Sequence, residues 1–577
     1  MATRIFGIFR PVLLASLLAT TISLPVSAGL MTGTVKDTDG KALHGVLVRI
    51  TDDRSGISEA VYTDKAGHYV LETRLAGELD VRVRTPYYRD VTATVKLGTT
   101  SQLSKNMVMA SMTDAMEISD SLPAAYHFGD LPFETGEDAN FSRLQFQRDC
   151  LSCHQLGNTF SRQQRTPQSW AQTIARMHLY LGNFDMRLRD SRSEILSKGF
   201  NGEPTSARPV FPVDEALSHA KITEYRLLKG GVPHDAIYNP HDGLLYTVDQ
   251  MLDHMAVTDP ATGETEYVVQ QDGAAMSYRQ GISEDNPVHG EFTPGARHGP
   301  HSLALGLDGK YYVTNTGSRS IGVFNPKTRQ WEASHLMAAE TGAIYPHTIR
   351  VDGKGIVWFT LTGSEQVGRL DPVAGEFTIL SLPARKPMGI AGTTQPYGIA
   401  INPTDGAVWY GRLFSDIIGR IDPDTLEITE YDSPVSGPRR MRFDKQGVLW
   451  VTGYSEGELA RIEVDGFKSK VYRMPEFAAG YRPAPYALGV HPETQDIWIN
   501  ENMTDRIFRF IPDEERWVFY PVPLRGTYTR DMTFTADGQV CTSNNPLPAA
   551  ALEGGVLEII CIDADYRPET TAKIAVQ

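Results

Sequence analysis

The chain has 577 residues, 55 Lys plus Arg against 70 Asp plus Glu, a formal net charge of −15 and four cysteines. So acidic a chain repels nucleic acid and anionic lipid, which excludes both as expected partners. Its length suggests about three or four domains, and abundant glycine and proline with few long helical patterns predict a mostly β protein.

Arg4 and Arg10 give the chain a basic start, Pro11 to Val26 is largely apolar, and Val26-Ser27-Ala28 offers small residues for cleavage. This pattern predicts a secretory signal peptide over residues 1–28, too short in its apolar run for a membrane span. An uncleaved anchor is the other reading of the same stretch. No later stretch approaches the ~18 apolar residues that a second span needs. The expectation is an exported, periplasmic protein, cleaved near Ala28, with no membrane span after removal of the signal.

From Gly29 to about Ala110 the sequence reads as short strands and tight turns. "GTVKDTDGKALHGVLVRITDD" is strand, turn, strand around Asp39-Gly40, and a second turn falls at Ala66-Gly67. The G-x-V opening, the D-G-K turn and the "TDKAGHY" segment resemble the carboxypeptidase regulatory-like domain, a transthyretin-type β-sandwich. That resemblance implies a spacer or docking module over residues 29–110, with His44 and His68 as surface residues. Residues 111–140 are acidic and proline-containing and read as a linker.

Residues 141–217 are helical in pattern and contain Cys150-Leu151-Ser152-Cys153-His154. C-x-x-C-H is the covalent attachment motif of c-type haem. Two thiols at i and i+3 share one helical face and meet one porphyrin edge. His154 then follows as the proximal iron ligand. A zinc site would need a second ligand pair, and a thioredoxin-like dithiol would need a βαβ setting; neither pattern is present. The expected cofactor is one covalent haem c, in a cytochrome c-like domain over residues 141–217.

Thr166 is a good N-cap with Pro167 at the first helical position, and Trp170, Ile174, Met177, His178 and Leu181 follow at helical spacing. The stretch looks similar to the haem domains of quinohaemoprotein amine dehydrogenases, which implies His178 as the second axial ligand. Met177 and Met186 are the alternatives, and Met177 is equally readable as core.

The remaining chain is a repeat array. "GPHSLALGLDGKYYVTNTGSRSIGVFNP", "YPHTIRVDGKGIVWFTLTGSEQVGRLDP" and "QPYGIAINPTDGAVWYGRLFSDIIGRIDP" share one plan. Units open at Pro233, Pro300, Pro346, Pro396, Pro438 and Pro485, with a degenerate unit near Arg530. Spacings of 46, 50, 42, 47 and 45 residues fit one four-stranded blade each, and the first spacing of 67 implies an insertion near Gln271 to Arg297. A seven-bladed β-propeller over residues 218–577 is predicted. "ITEYRLL" (Ile222 to Leu228) resembles the outer strands of later units yet precedes the first, so it should complete the last blade and close the ring. Cys541 and Cys561 fall on neighbouring strands of that blade, and an oxidising compartment favours a disulfide between them.

The P-[HY]-x-[IL] and W-[FY] features of these units resemble the virginiamycin B (streptogramin) lyase family. That resemblance implies a metal-assisted carbon–oxygen lyase with a histidine base and a His/Glu magnesium site on late blades. Here the late positions read Arg439-Arg440, Tyr486 and Arg530, His491 lies in a turn, and only Glu456 and Glu501 sit like loop ligands. The chain departs from the lyase pattern there.

The early units differ again. His234, His301 and His347 occupy one repeat position, the residue after proline, and Tyr397, Arg439 and Tyr486 continue it. Equivalent positions converge at one mouth of a propeller channel. Three imidazoles there suit a second metal ion, with His298 as a fourth ligand, or a substrate pocket, or plain loop capping. Arg439 suits an anionic substrate group. The expected catalytic set is His234, His301, His347 and Arg439. The expected function is electron transfer coupled to oxidation or binding of a small anionic molecule, with a redox partner protein. The alternatives are a lyase and a non-catalytic binding propeller.

Overall fold

The computed structural model describes residues 28–133, 143–151, 154–180, 185–270, 298–388, 393–546 and 552–568. The expected signal peptide, the insertion near Gln271 to Arg297, and Cys153 lie outside the described residues.

The repeat units fold as antiparallel four-stranded meanders. Their first strands are Pro233–Asn239, Pro300–Leu305, Pro346–Val351, Pro396–Ile401, Pro438–Phe443, Pro485–Val490 and Thr529–Phe534. Each first strand packs on the next, and the last packs on the first, in a propeller-like circle. Six of the units are separate four-stranded sheets. Their second strands bring tryptophans inward between sheets: Trp358, Trp409, Trp450 and Trp498 are all buried. Burying such rings is the main cohesion between neighbouring sheets.

A recurrent irregularity positions the channel residues. In every one of the seven first strands the register with the second strand shifts just after the opening residue. A bulge twists a strand and re-aims one side chain. The re-aimed residues are His234, His301, His347, Tyr397, Arg439, Tyr486 and Arg530. Polar side chains on the second strands brace the bulges. Thr314 Oγ1 accepts from Ser302 N at 3.0 Å and donates to the carbonyl of His347 in the next unit at 2.7 Å. Thr360 repeats this with Thr348 N at 3.2 Å and the Tyr397 carbonyl at 2.8 Å. Asn500 accepts from Ala487 N at 2.7 Å and donates to the Arg530 carbonyl. Each brace thus satisfies a backbone donor and ties one unit to its neighbour.

The last unit closes as expected. Lys221–Arg226 pairs antiparallel with Glu558–Asp563, with Ile222 opposite Ile562. Cys541 lies opposite Cys561, and the two form a disulfide.

The N-terminal region is more than a spacer. Its strand Ile57–Tyr62 pairs with the other edge of Lys221–Arg226, Ala60 opposite Ile222. The sandwich strands Leu47–Asp52, Gly77–Arg84 and Val91–Leu97 continue that sheet, which has eight strands in all. The second sheet of the sandwich is built on Gly29–Asp37. Val48, Ile50, Leu71 and Val81 of the sandwich share one buried cluster with Tyr225, Ile559, Cys541 and Cys561 of the ring. Arg49 reaches Glu224 at 2.5 Å and Arg82 reaches Glu553 at 2.6 Å across the junction.

Residues 111–140, expected as a linker, contain two short helices. α1 (Ala115–Ser121) is capped by Asp114, whose carboxylate accepts from Met116 N and Glu117 N. α2 (Ala124–Gly129) buries Tyr126 and Phe128, and Ala125 N donates to the Met503 carbonyl at 2.9 Å. The stretch is held by packing on the ring, which a composition-based linker reading does not anticipate. α3 (Arg143–Cys150), α4 (Pro167–Tyr180) and α5 (Met186–Gly199) follow. Phe128, Phe146, Leu151, Trp170 and Leu196 of this helical region share a core with Tyr397, Phe414 and Tyr454 of the ring. The helices therefore sit over one end of the channel. Among the described residues no helix is long and apolar enough to cross a membrane.

Candidate functional site

The C-x-x-C-H string begins at the C-terminal end of α3. Cys150 is half-buried and Leu151 is buried. The carbonyl of Leu151 accepts two phenol hydrogen bonds from the ring, one from Tyr528 at 2.8 Å and one from Tyr454. Flanking glutamines reinforce the seat. Gln147 Nε2 donates to the Tyr454 carbonyl at 2.9 Å, and Gln155 Nε2 donates to the Thr527 carbonyl at 2.8 Å and to Asp505 Oδ1 at 3.2 Å.

His154 Nδ1 donates to the Gln155 carbonyl at 2.7 Å. That bond fixes the tautomer and leaves Nε2 as the lone pair, the arrangement of a metal-ligating imidazole. His154 therefore has the tautomer that an axial haem ligand needs.

His178 on α4 is buried, and its Nε2 accepts from Arg192 Nη1 of α5 at 3.0 Å. Arg192 in turn pairs with Asp149 of α3 at 2.5 Å, both side chains 1% exposed. His178 is thus tied to the residue preceding Cys150, and it would serve as an iron ligand only by exchanging its Arg192 contact. Met177 is half-buried; Met186, at 57% exposure, lies on the surface with its sulfur accepting from Arg189.

Beneath the string, the channel residues form an arc of rings. His234 and His301 have centroids 3.5 Å apart, His301 and His347 4.1 Å, and His347 and Tyr397 4.0 Å. The Tyr397 and Tyr486 hydroxyls are 3.1 Å apart. The Arg439 guanidinium carbon lies 4.5 Å from the Tyr397 ring, 4.2 Å from Tyr454 and 4.0 Å from Tyr486, and its Nη2 donates to Tyr397 Oη at 2.7 Å. All these side chains are buried. The three expected histidines and Arg439 are therefore brought together.

The histidine rings lie against one another at tilted angles of 33° and 48°. Among the described residues no group of three or more His, Cys, Asp or Glu side chains is placed to hold a metal ion. Asp235 Oδ1 is 2.9 Å from His234 Nδ1, and Thr348 Oγ1 is 2.8 Å from His347 Nδ1. Burial, then the neighbouring arginines and imidazoles, push all three histidines well below the usual range, so they are neutral at pH 7. His298 is buried outside this arc, with Nδ1 3.2 Å from Ser318 Oγ.

Several participants were not singled out as site residues from sequence. Arg440 meets Asp235 at 3.3 Å and Asp531 at 3.6 Å, and Asp531 also pairs with Arg350 at 3.1 Å and Arg442 at 2.5 Å. Tyr454, Tyr528 and Arg530 complete the tyrosine–arginine end. Burial alone would raise the Tyr486 hydroxyl, but Arg530, Arg439 and Arg440 together pull it down to about 8. The Tyr397 hydroxyl, mainly through burial, is held well above the usual range, so the pair releases its first proton from Tyr486.

The two late acids act as braces. Glu501 is buried and accepts from Ala484 N, Met503 N and Thr504 N, and burial raises its carboxyl to about 6. Glu456 pairs with Arg482. His491 lies in its expected turn, bonded to the Gly538 carbonyl at 3.1 Å.

A model described as the virginiamycin B lyase family matches residues 289–481 and 391–551, and one described as the carboxypeptidase regulatory-like domain matches residues 31–110. The chain thus carries a virginiamycin B lyase-like propeller region and a carboxypeptidase regulatory-like domain. No curated protein matches it. Among solved structures it is similar to a catalytically inactive Staphylococcus aureus virginiamycin B lyase with quinupristin, at 17% identity over 59% of this chain and 99% of that one, TM-score 0.47. It is also similar to a streptogramin B lyase, at 19% identity over 61% and 99%, TM-score 0.48. Kuenenia stuttgartiensis hydrazine synthase matches at 15% identity over 54% and 91%, TM-score 0.41.

Proposed function

We propose that this is an exported c-type cytochrome fused to a seven-bladed propeller, which transfers electrons to or from a small anionic substrate held in the propeller channel. One observation carries the reading: the carbonyl of Leu151, inside the C-x-x-C-H string, is held by Tyr454 and Tyr528 at the channel end. The attachment string and the polar channel are therefore neighbours.

Cys150 and Cys153 would hold the haem covalently, and His154, with His178 or Met177, would ligate its iron. The bound group supplies one-electron chemistry. The chain's own residues do the rest. Leu151, Phe146 and Trp170 exclude water from the seat. Neutral His234, steadied by Asp235, is positioned to take a substrate proton, and Arg439 to orient an anionic group. We assign the histidine arc to proton handling rather than to a second metal ion, because His234 Nδ1 is bonded to Asp235 and His347 Nδ1 to Thr348 Oγ1. The Cys541–Cys561 disulfide suits an oxidising compartment such as the periplasm. A redox partner protein would exchange electrons at the helical face.

The test is the full chain made with the haem-maturation machinery. A pyridine haemochrome spectrum should show one c-type haem per chain. His301→Ala/His347→Ala should keep that haem and lose substrate-linked reduction. Haem that extracts into acid butanone, or a chain that takes up none, overturns the proposal.

A further inference from the structure

Among the described residues the channel holds more positive charge than its carboxylates balance. Arg350, Arg440 and Arg442 share two acids, Asp235 and Asp531. Among the described residues Arg530 meets only neutral groups. Its Nη1 donates to Tyr486 Oη at 3.0 Å and its Nη2 to Asn545 Oδ1 at 3.1 Å. Its guanidinium carbon lies 4.5 Å from the Tyr528 ring and 5.3 Å from the Tyr486 ring. The side chain is 5% exposed, and its Nε, fully enclosed, has no acceptor among the described residues. A buried guanidinium without a counter-anion is costly, and proteins place one where an anion is to be bound.

The neighbourhood says which anion. Arg530 lies two residues from Tyr528, which holds the Leu151 carbonyl. The planar fork of Arg530 matches a carboxylate in two-point geometry. Tyr486 supplies a phenol donor beside it. We propose that Arg530, with Tyr486 and Asn545, is a carboxylate-binding site at the channel end on which Leu151 is seated. Two sources share this chemistry: a propionate of a haem tethered at Cys150 and Cys153, and the carboxylate of a small substrate. Only the tethered source rests on the haem reading above.

Acetate is the probe, and the full chain is used in two forms, haem-loaded and haem-free (Cys150→Ala/Cys153→Ala). The haem-free form should bind acetate by calorimetry, and Arg530→Gln should weaken that binding at least tenfold. Arg530→Lys, which keeps the charge but not the fork, should weaken it less and serves where the glutamine variant fails to fold. If the tether supplies the carboxylate, the loaded form does not bind acetate, and Arg530→Gln lowers its reduction potential. If a substrate supplies it, acetate binds both forms and shifts the Soret band of the loaded one. A haem-free chain whose acetate binding is absent or indifferent to Arg530, with a loaded form whose potential is also indifferent, overturns the site. So does a Tyr486 already ionised at pH 7, because the phenolate would then be the counter-anion. Failure of haem attachment alone refutes the cytochrome reading and leaves the acetate result standing.

Discussion

Removing the Cys541–Cys561 disulfide tests how the ring is closed. The bridge joins Val540–Asn544 to Glu558–Asp563 and closes a segment with a sequence separation of 20. In the chain-entropy model a loop of that length is worth about 3 kcal/mol. Unfolding a ring of roughly 340 residues carries about 0.7 kcal/mol per degree of entropy, so Cys541→Ala/Cys561→Ala should lower the melting midpoint by about 4–5 °C. Both sulfurs are buried, so a mild reductant should leave the folded parent unchanged and reproduce the variant's shift only once the last unit opens. Calorimetry of parent and variant in the same buffer measures the difference. A loss below about 1 °C would show that the ladder between Lys221–Arg226 and Glu558–Asp563 closes the ring without help, and the entropic account would fail.

Two further outcomes follow from the channel and the junction. Absorbance at 295 nm should reveal one phenol titrating near pH 8, Tyr486, and Arg530→Gln should move it upward; because its folded value lies below the unfolded one, its contribution to stability grows as pH rises from 8 toward 10. Arg49→Leu should cost about 3–5 kcal/mol in urea unfolding, since it strands the buried Glu224 beside Glu558, and the loss should appear in the ring although Arg49 belongs to the sandwich.

Much of the architecture is legible in the repeats, because proline at a fixed pitch and aromatic-rich second strands are strong local signals. The closing strand was readable too, since "ITEYRLL" has the pattern of an outer strand without a unit of its own. Three things were hidden. The shared sheet depends on the free edge of Lys221–Arg226 meeting Ile57–Tyr62, about 160 residues away in sequence, and edge pairing leaves no periodicity to read. The helices within 111–140 are too short to hold themselves and form on contact with the ring. The braces Thr314, Thr360 and Asn500 stand in "YYVTN", "VWFTL" and "IWINE" at one repeat position, a signal that aligning the second strands would have revealed.

Those braces explain why the candidate site has two ends. The bulge after each opening residue makes the seven channel positions equivalent in backbone, so any asymmetry comes from side-chain identity alone. His234, His301 and His347 fill three consecutive positions with neutral imidazoles, and Arg439, Tyr486 and Arg530 fill the last three, both arginines donating to phenol oxygens. Tyr397 joins the two halves, its ring against His347 and its hydroxyl against Tyr486. The helical region seats the Leu151 carbonyl on the half that carries the phenols, through Tyr454 and Tyr528. An anion at Arg530 would lie under the string, and a proton leaving it would find its acceptors along the arc toward His234. The polarity of the ring thus separates where charge is held from where a proton goes.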